Sequence, residues 1–197
     1  MVHIQHLIPR DYHESNWSGG KTRELYLYPP DGDYKERQFD FRLSTASIEV
    51  TESHFTPLDG FQRILMTLDQ EIQLHNRTQK NGTVLSAFQS YSFDGGDSLF
   101  CKGQCHDFNL IYQPTYQGKI KAVVPNQIIE STAQFQFIYA LKAIRIQLCE
   151  ESIYTLKEQE LLVIEQNSQA KNMKLLFLPL QSSDQPSAIW TALRTLS

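Results

Sequence analysis

Hydrophobic and polar residues alternate with a period of two along most of this chain, which is the pattern of β-strands with one buried face. The alternation is clearest in Phe39–Ser44, where Phe39, Phe41 and Leu43 fall on one face and the polar residues fall on the other. The other runs that we predict as strands are Glu24–Tyr28, Ile64–Leu68, Glu71–His75, Phe135–Leu141, Ile144–Leu148, Leu161–Ile164 and Leu175–Leu180.

Short polar segments rich in Pro, Gly, Asn and Asp separate these runs. Pro29–Asp33 ends the first strand, and the Asp69-Gln70 connection is short enough to predict a hairpin between the strands beside it. Residues 79–83 contain Asn-Gly, which favours positive φ, and residues 94–97 form a further turn. Turn signals recurring about every 8–12 residues predict an all-β sandwich or barrel.

The C-terminal segment is the one place where the pattern predicts a helix, over residues 186–196. Asp184 is a plausible N-cap and Pro186 suits a first helical turn. Four apolar residues then fall on one helical stripe: Ile189, Trp190, Leu193 and Leu196.

Composition and charge exclude several classes of partner. The 197 residues are 41% hydrophobic and 20% charged, with a net charge of −4 and no basic stripe, so we expect no nucleic-acid partner. No stretch approaches the roughly 20 apolar residues of a membrane span, and the N-terminus lacks the pattern of a signal peptide. Three cysteines leave one unpaired in any disulfide scheme. We therefore expect a cytoplasmic protein with reduced thiols and no membrane partner.

The histidines and cysteines do not predict a metal site or a cofactor. Two His at i and i+2 on one strand would project from the same face towards a common metal ion, and no His-x-His occurs in the chain. His54 and His75 are expected in a surface loop or at a strand edge. Cys101, Cys105 and His106 lack a fourth zinc ligand at a usual spacing, so buried thiols are the favoured interpretation for the two cysteines.

Five short segments, in order along the first half of the chain, together resemble the HutD/Ves family. In chain order, they match the family's W-x-G-G-x-T-x-E, F/W-R-x-S-x-A and F-S…G-x-x-R patterns, its F-x-G-D turn with one extra residue, and its D-F-N pattern. The matching segments are Trp17–Glu24, Phe41–Ala46, Phe55-Thr56 with Gly60–Arg63, Phe93–Asp97 and Asp107–Asn109.

The resemblance implies a bicupin, which is an all-β chain of two stacked double-stranded β-helix barrels. We expect an N-terminal barrel over roughly 17–113, a C-terminal barrel over roughly 114–185, and the short C-terminal helix after them. It also implies a link to histidine catabolism, with ligands such as formylglutamate or urocanate, or alternatively a role in stress response.

Arg42 and Arg63 are the first candidate ligand-binding residues. Arg42 lies in a strongly alternating strand on the face opposite the phenylalanines, and a buried guanidinium requires a partner. That partner is Asp107, another internal carboxylate, or the carboxylate of a ligand held by a bidentate fork. A purely structural Arg–Asp pair that joins two strands remains an equal alternative.

The remaining candidates follow from strand parity. If Phe108 faces the core, Asp107 and Asn109 share the other face and can orient a polar ligand, whereas His106 points away from them. Ser44 shares the face of Arg42. Trp17 and Phe55 are candidate apolar walls, although core packing is the more ordinary role for an aromatic residue.

We favour a non-catalytic protein that binds a small-molecule carboxylate through Arg42 and Arg63, without a cofactor. Two alternatives remain open. One is a metal-independent isomerase or epimerase that uses a His–Asp pair, and the other is a protein-interaction module that docks through a barrel edge or the C-terminal helix. A homodimer is compatible with exposed sheet edges.

Overall fold

The computed structural model describes residues 2–76, 82–148, 152–167, 171–181 and 184–196. Over these residues the chain forms nineteen strands and one short 3-10 helix, Pro9–Asp11. In chain order the strands are β1 (Val2–Leu7), β2 (His13–Trp17), β3 (Gly20–Tyr28), β4 (Phe41–Ile48), β5 (Glu52–His54), β6 (Gln62–Thr67), β7 (Ile72–Asn76), β8 (Thr83–Leu85), β9 (Ser90–Asp94), β10 (Leu99–Lys102), β11 (Cys105–Tyr112), β12 (Tyr116–Val123), β13 (Ile128–Ser131), β14 (Phe135–Ala140), β15 (Ile144–Leu148), β16 (Ser152–Leu156), β17 (Leu161–Gln166), β18 (Met173–Pro179) and β19 (Ala188–Thr195).

The chain divides into two compact units, Tyr12–Tyr116 and Met1–Asp11 with Gln117–Ser197. The first unit, which we call the central unit, contains a six-stranded sheet with the order β2-β3-β4-β11-β6-β9 and a four-stranded sheet with the order β5-β10-β7-β8. The strand pairs in both sheets are antiparallel. The two middle strands of the larger sheet, β4 and β11, are buried on both faces along most of their length.

The second unit, which we call the terminal unit, also has two sheets, with the orders β1-β17-β14-β19-β12 and β13-β18-β15-β16. Its core cluster draws residues from both sheets, among them Ile138 and Trp190 from the larger one and Ile146 and Phe177 from the smaller one. The two sheets therefore pack face to face through apolar side chains, which is how antiparallel layers bury their inner faces.

The all-β, antiparallel fold predicted from the sequence is confirmed, but the C-terminal helix is wrong. Ala188–Thr195 is β19, which lies between β14 and β12 and pairs Trp190 with Ile138. Residues 188–193 of β19 are buried on both faces, so this stretch has no clean two-residue alternation. A short continuous apolar run fits a helical stripe equally well. Asp184 and Pro186, which suit the start of a helix, precede a strand here.

The predicted hairpin around Asp69-Gln70 is also wrong. Both flanking strands exist, as β6 and β7, but they belong to different sheets. At the crossing between the sheets, the buried Thr67 hydroxyl donates a hydrogen bond to the Gln70 carbonyl oxygen over 2.6 Å. Alternation shows that a segment is a strand, but it does not say which strand pairs with it.

The two cysteines that the structure describes, Cys101 and Cys105, are buried free thiols, as predicted. Cys149 and most of the turn predicted at residues 79–83 lie outside the described residues.

Across the described ranges, no helix combines the length and the apolar character that a membrane crossing requires.

Candidate functional site

The central unit contains a cavity of about 700 Å³ that is partly open to the surface. One wall is the six-stranded sheet, and the rest is built by β5, the segment after it and the loop that joins β3 to β4. All seven residues predicted from the sequence line this one cavity: Trp17, Arg42, Ser44, Phe55, Arg63, Asp107 and Asn109.

Strand pairing explains why these side chains meet. Paired residues on neighbouring antiparallel strands project from the same face of a sheet. On four strands, β3, β4, β11 and β6, the residues that project from the cavity side of the sheet form three rows, which follow one another along the sheet. The rows are Leu27, Arg42, Ile111 and Arg63; then Glu24, Ser44, Asn109 and Leu65; then Thr22, Ala46, Asp107 and Thr67. All of these residues except Leu65 and Thr67 line the cavity.

A β-bulge in β3 completes the arrangement. The register shifts between Glu24 and Tyr26, so that Leu25 has no opposite residue on β4. Because a bulge adds one residue, the cavity face of β3 changes from even to odd numbers, and both Glu24 and Leu27 line the cavity. The bulge therefore brings an acidic side chain to the same wall as the two arginines.

Arg42 is buried and already has partners within the chain. Its Nε donates to Glu24 Oε2 at 2.7 Å, and its Nη1 donates to Ser44 Oγ at 3.3 Å. The guanidinium carbon also lies 4.1 Å from the ring centroid of Tyr34, in cation–π geometry. Of the three partners left open by the sequence, the one found is an internal carboxylate, Glu24.

Arg63 is different, because its guanidinium forms no ion pair with any residue that the structure describes. Nη1 donates to the Thr56 carbonyl oxygen at 3.2 Å, while the buried Nε has no acceptor. The group lies over the rings of Phe55 and Phe93, at 5.2 and 5.1 Å from their centroids. Burial lowers the pKa of Arg63 to about 10, so the side chain is still a cation at neutral pH.

Asp107 and Asn109 form a second polar group on the same sheet. Asn109 Nδ2 donates to Asp107 Oδ1 at 2.7 Å, and Asn109 Oδ1 is buried without a donor. Burial raises the pKa of Asp107 to about 7, and the positive charge of Arg63 opposes that rise. His106 faces the other way, as strand parity predicted: its exposed ring lies 2.6 Å from Asp69 Oδ2.

The two aromatic candidates lie at the more open side of the cavity. Trp17 is 37% exposed, so it is not a core residue, and its ring covers Gly19 so closely that any Cβ there would overlap it. Phe55 is half-buried and meets Phe93 edge to face, with centroids 6.0 Å apart. Both rings supply apolar surface beside the polar sheet wall.

Sequence reasoning missed several lining residues. Glu24 lies inside a matched segment, but alternation alone does not predict that its side chain faces the cavity, because this direction depends on the bulge. Tyr34 lies in the loop between β3 and β4, where period-two reasoning does not apply. His54, expected only at the surface, is exposed but borders the cavity together with His13.

Within the described ranges, no group of three or more His, Cys, Asp or Glu side chains is placed to hold a metal ion.

Comparison with known structures first gives the class of fold. The chain is similar to nickel-bound pirin YhhW from Escherichia coli, with a TM-score of 0.64 at 9% identity over all of both chains. It is also similar to an oxalate decarboxylase from Lactobacillus farciminis, with a TM-score of 0.62 at 7% identity over 97% of this chain and 86% of that one. These likenesses define a cupin-like β fold.

More specifically, the chain belongs to the HutD family, whose model matches residues 9–177. HutD from Pseudomonas fluorescens is 23% identical with a TM-score of 0.76, over 99% of this chain and 100% of that one. A conserved protein of unknown function from Pseudomonas aeruginosa is 22% identical with a TM-score of 0.83, over 98% and 100% of the two chains. Among curated proteins, no sequence matches this one significantly.

Proposed function

We propose that this chain is a non-catalytic, cytoplasmic receptor for a small carboxylate, built as a bicupin in which each unit is one double-stranded β-helix barrel. The ligand binds in the cavity of the central unit. Arg63 is the principal anion-binding residue, and Arg42, Ser44, Asp107, Asn109, Trp17 and Phe55 complete the site.

One observation supports this proposal above the others. Arg63 is only 7% exposed and lines the cavity, yet it has no ion pair within the described residues. A buried cation without a counter-charge lowers stability, so a protein that keeps one there gains something else from it. A ligand carboxylate accepting from Arg63 Nε would supply both the missing charge and the missing acceptor.

The polar neighbours extend the description of the ligand. Asn109 Oδ1 lacks a donor, and it lies one row along the sheet from Arg63. A ligand that places an N–H or O–H group near its carboxylate satisfies both orphaned atoms, and Trp17 and Phe55 cover its apolar part. Membership of the HutD family makes intermediates of histidine catabolism, formylglutamate and urocanate, the first ligands to test.

The test is isothermal titration calorimetry with formylglutamate and urocanate, using the neutral analogue glutaramide as the comparison. Replacing Arg63 with Met should weaken carboxylate binding about 10- to 100-fold, as expected for loss of a charge-assisted hydrogen bond. The same variant should unfold at a higher temperature without ligand, because an unpaired buried charge is gone.

The matched control is Arg23→Met. Arg23 lies on β3 outside the cavity, where its Nη2 pairs with exposed Glu14 at 3.1 Å. This variant should bind as the wild type does. If the wild type and Arg63→Met bound the acids with equal affinity, the proposed carboxylate-receptor function would be wrong. Tighter binding of glutaramide than of the acids would refute it as well.

A metal-independent isomerase is the second candidate, and Asp107 is the observation in its favour. A cavity carboxyl with a pKa of about 7 has the protonation properties of a general acid–base group. The test is proton NMR of each ligand in D₂O with catalytic amounts of protein. Exchange of a ligand C–H proton that disappears in Asp107→Asn would establish catalysis, and the absence of exchange would exclude this candidate for those ligands.

The interaction module no longer has its main support. The segment that the sequence predicted as a docking helix is the strand β19. Its Trp190 is buried in the core of the terminal unit, where Nε1 donates to Gln136 Oε1 at 3.2 Å.

A further inference from the structure

Asp107 is a buried carboxyl group of the site, and within the described residues it forms no ion pair with a basic side chain. It is 2% exposed and lines the same cavity as Arg63, but no ion pair joins the two side chains. Arg63 lies two rows away along the sheet, opposite Ile111 on β11, and reaches Asp107 only through its longer-range field. Asn109, which lies between their rows on β11, also lines the cavity, so an anion bound by Arg63 would share one cavity with the carboxyl group of Asp107.

The charged and titratable groups that act on Asp107 or share its cavity wall come from five strands. They are Arg63 on β6, Arg42 on β4, Glu24 on β3, Cys101 on β10, and Cys105 and His106 on β11 itself. The two thiols are neutral at physiological pH, because burial raises the pKa of Cys101 to about 11 and that of Cys105 to about 12. Glu24 is already paired with Arg42, and His106 faces away, so Arg63 is the cation that both Asp107 and a ligand anion would share.

We propose that Asp107 takes up a proton when an anionic ligand binds beside Arg63, so that the site binds its ligand as an anion together with one proton. This inference rests on the proposed carboxylate-receptor function. Two negative charges in one cavity repel each other, and a buried carboxyl group such as that of Asp107 is the one that neutralises more easily. Once neutral, the carboxyl of Asp107 becomes an O–H donor that can hydrogen-bond to an oxygen of the ligand.

The sign of the pH dependence follows from the free protein. With a pKa near 7 in the empty cavity, Asp107 is mostly neutral at pH 6 and mostly ionised at pH 8.5. Binding at pH 6 therefore takes up almost no proton, whereas binding at pH 8.5 takes up nearly one. Affinity should be flat below about pH 6 and should fall up to about tenfold per pH unit above pH 7.

The experiment is calorimetry of N-formyl-L-glutamate from pH 6 to 8.5, repeated at pH 8.5 in buffers with different ionisation enthalpies to count protons. This probe suits the range because α-carboxyl and side-chain carboxyl groups titrate below about pH 5. Wild-type protein should show the falling affinity and an uptake approaching one proton. Asp107→Asn, which resembles the neutral acid in shape, should bind independently of pH and about tenfold or more tighter than the wild type at pH 8.5.

His13 and His54 also border the cavity, and they are the histidines to be separated from Asp107 as a source of any pH dependence. The control is therefore the double variant His13→Gln with His54→Gln, which should keep the wild-type slope. A slope retained in Asp107→Asn, or lost in the double variant, would overturn the assignment to Asp107. Binding that is flat with pH in the wild type would overturn proton uptake alone, and no binding at any pH would overturn the receptor function with it.

A direct measurement covers the case in which Asp107→Asn does not fold. The ¹³C resonance of the Asp107 carboxyl in the wild-type protein reports its ionisation at pH 8 with and without the probe. Saturation with N-formyl-L-glutamate should move it to the position of the neutral acid. A carboxyl that stays ionised under saturation would contradict the inference.

Discussion

Replacing Glu24 with Gln tests how the cavity keeps its second guanidinium buried. Arg42 is shielded from solvent, and Glu24 is the carboxylate that neutralises it, at 2.7 Å. Gln has the same shape and can still accept a hydrogen bond from Nε, so the substitution removes the charge and little else. The ligand-free protein should become less stable, because Arg42 then keeps its charge in a largely dry site.

The magnitude follows from burial. Breaking a fully buried ion pair by removing one partner costs about 3–5 kcal/mol. Here the side chain of Glu24 is 21% exposed, and Ser44 and Tyr34 still contact the guanidinium, so we expect a loss of about 2–3 kcal/mol in the free energy of unfolding. For a chain of this length, such a loss lowers the melting temperature by about 5–10 °C.

The assay is urea and thermal unfolding without ligand, followed by circular dichroism. Glu14→Gln is the matched control, because it breaks the exposed pair with Arg23 on the neighbouring part of β3. Exposed pairs are worth little, so this control should change stability by less than about 0.5 kcal/mol. Equal effects of the two substitutions would refute the view that Glu24 neutralises a buried charge.

Two further predictions concern groups outside the anion site. Although burial acts to raise it, hydrogen bonds from the Lys157 backbone and His6 hold the pKa of Glu160 below its usual range; Glu160→Gln should therefore cost about 1 kcal/mol at pH 7. Because a lowered pKa gives stability that is lost as the pH falls, the two proteins should converge in urea titrations as the pH falls through and below the usual range of a glutamate. A gap that widens in acid would contradict this. Burial raises the pKa values of Cys101 and Cys105, so little reactive thiolate should be present in the native protein. In a Cys149→Ser background, DTNB at pH 8 should therefore label the native protein at least about 100-fold more slowly than the unfolded protein. Rapid labelling of the native thiols would refute this prediction.

Local alternation was enough to predict the fold class and much of the cavity wall. The pattern around Arg42, Ser44, Asp107 and Asn109 directly specifies which side chains share a face, because strand parity is a property of single segments. The structure brings these side chains to one wall. The same argument separated His106 from Asp107.

What failed depends on partners that single segments do not specify. Residues 188–193 of β19 are buried on both faces, and such a short run of buried residues does not by its own sequence distinguish a strand from a helix. The crossing between β6 and β7 depends on sheet assignment. The role of Glu24 depends on one extra residue at Leu25, and the role of Tyr34 depends on the course of a loop.

Because of the bulge at Leu25, the residues of β3 that face the cavity have even numbers before the bulge and odd numbers after it. Deleting this single residue would make Glu24 and Tyr26 consecutive in regular register with Ser44 and Leu43, so Thr22, Glu24 and Leu27 would stand at alternate positions and all still face the cavity. Within this family, the bulge would therefore allow one residue to be gained or lost at that point without changing which side chains of β3 face the cavity.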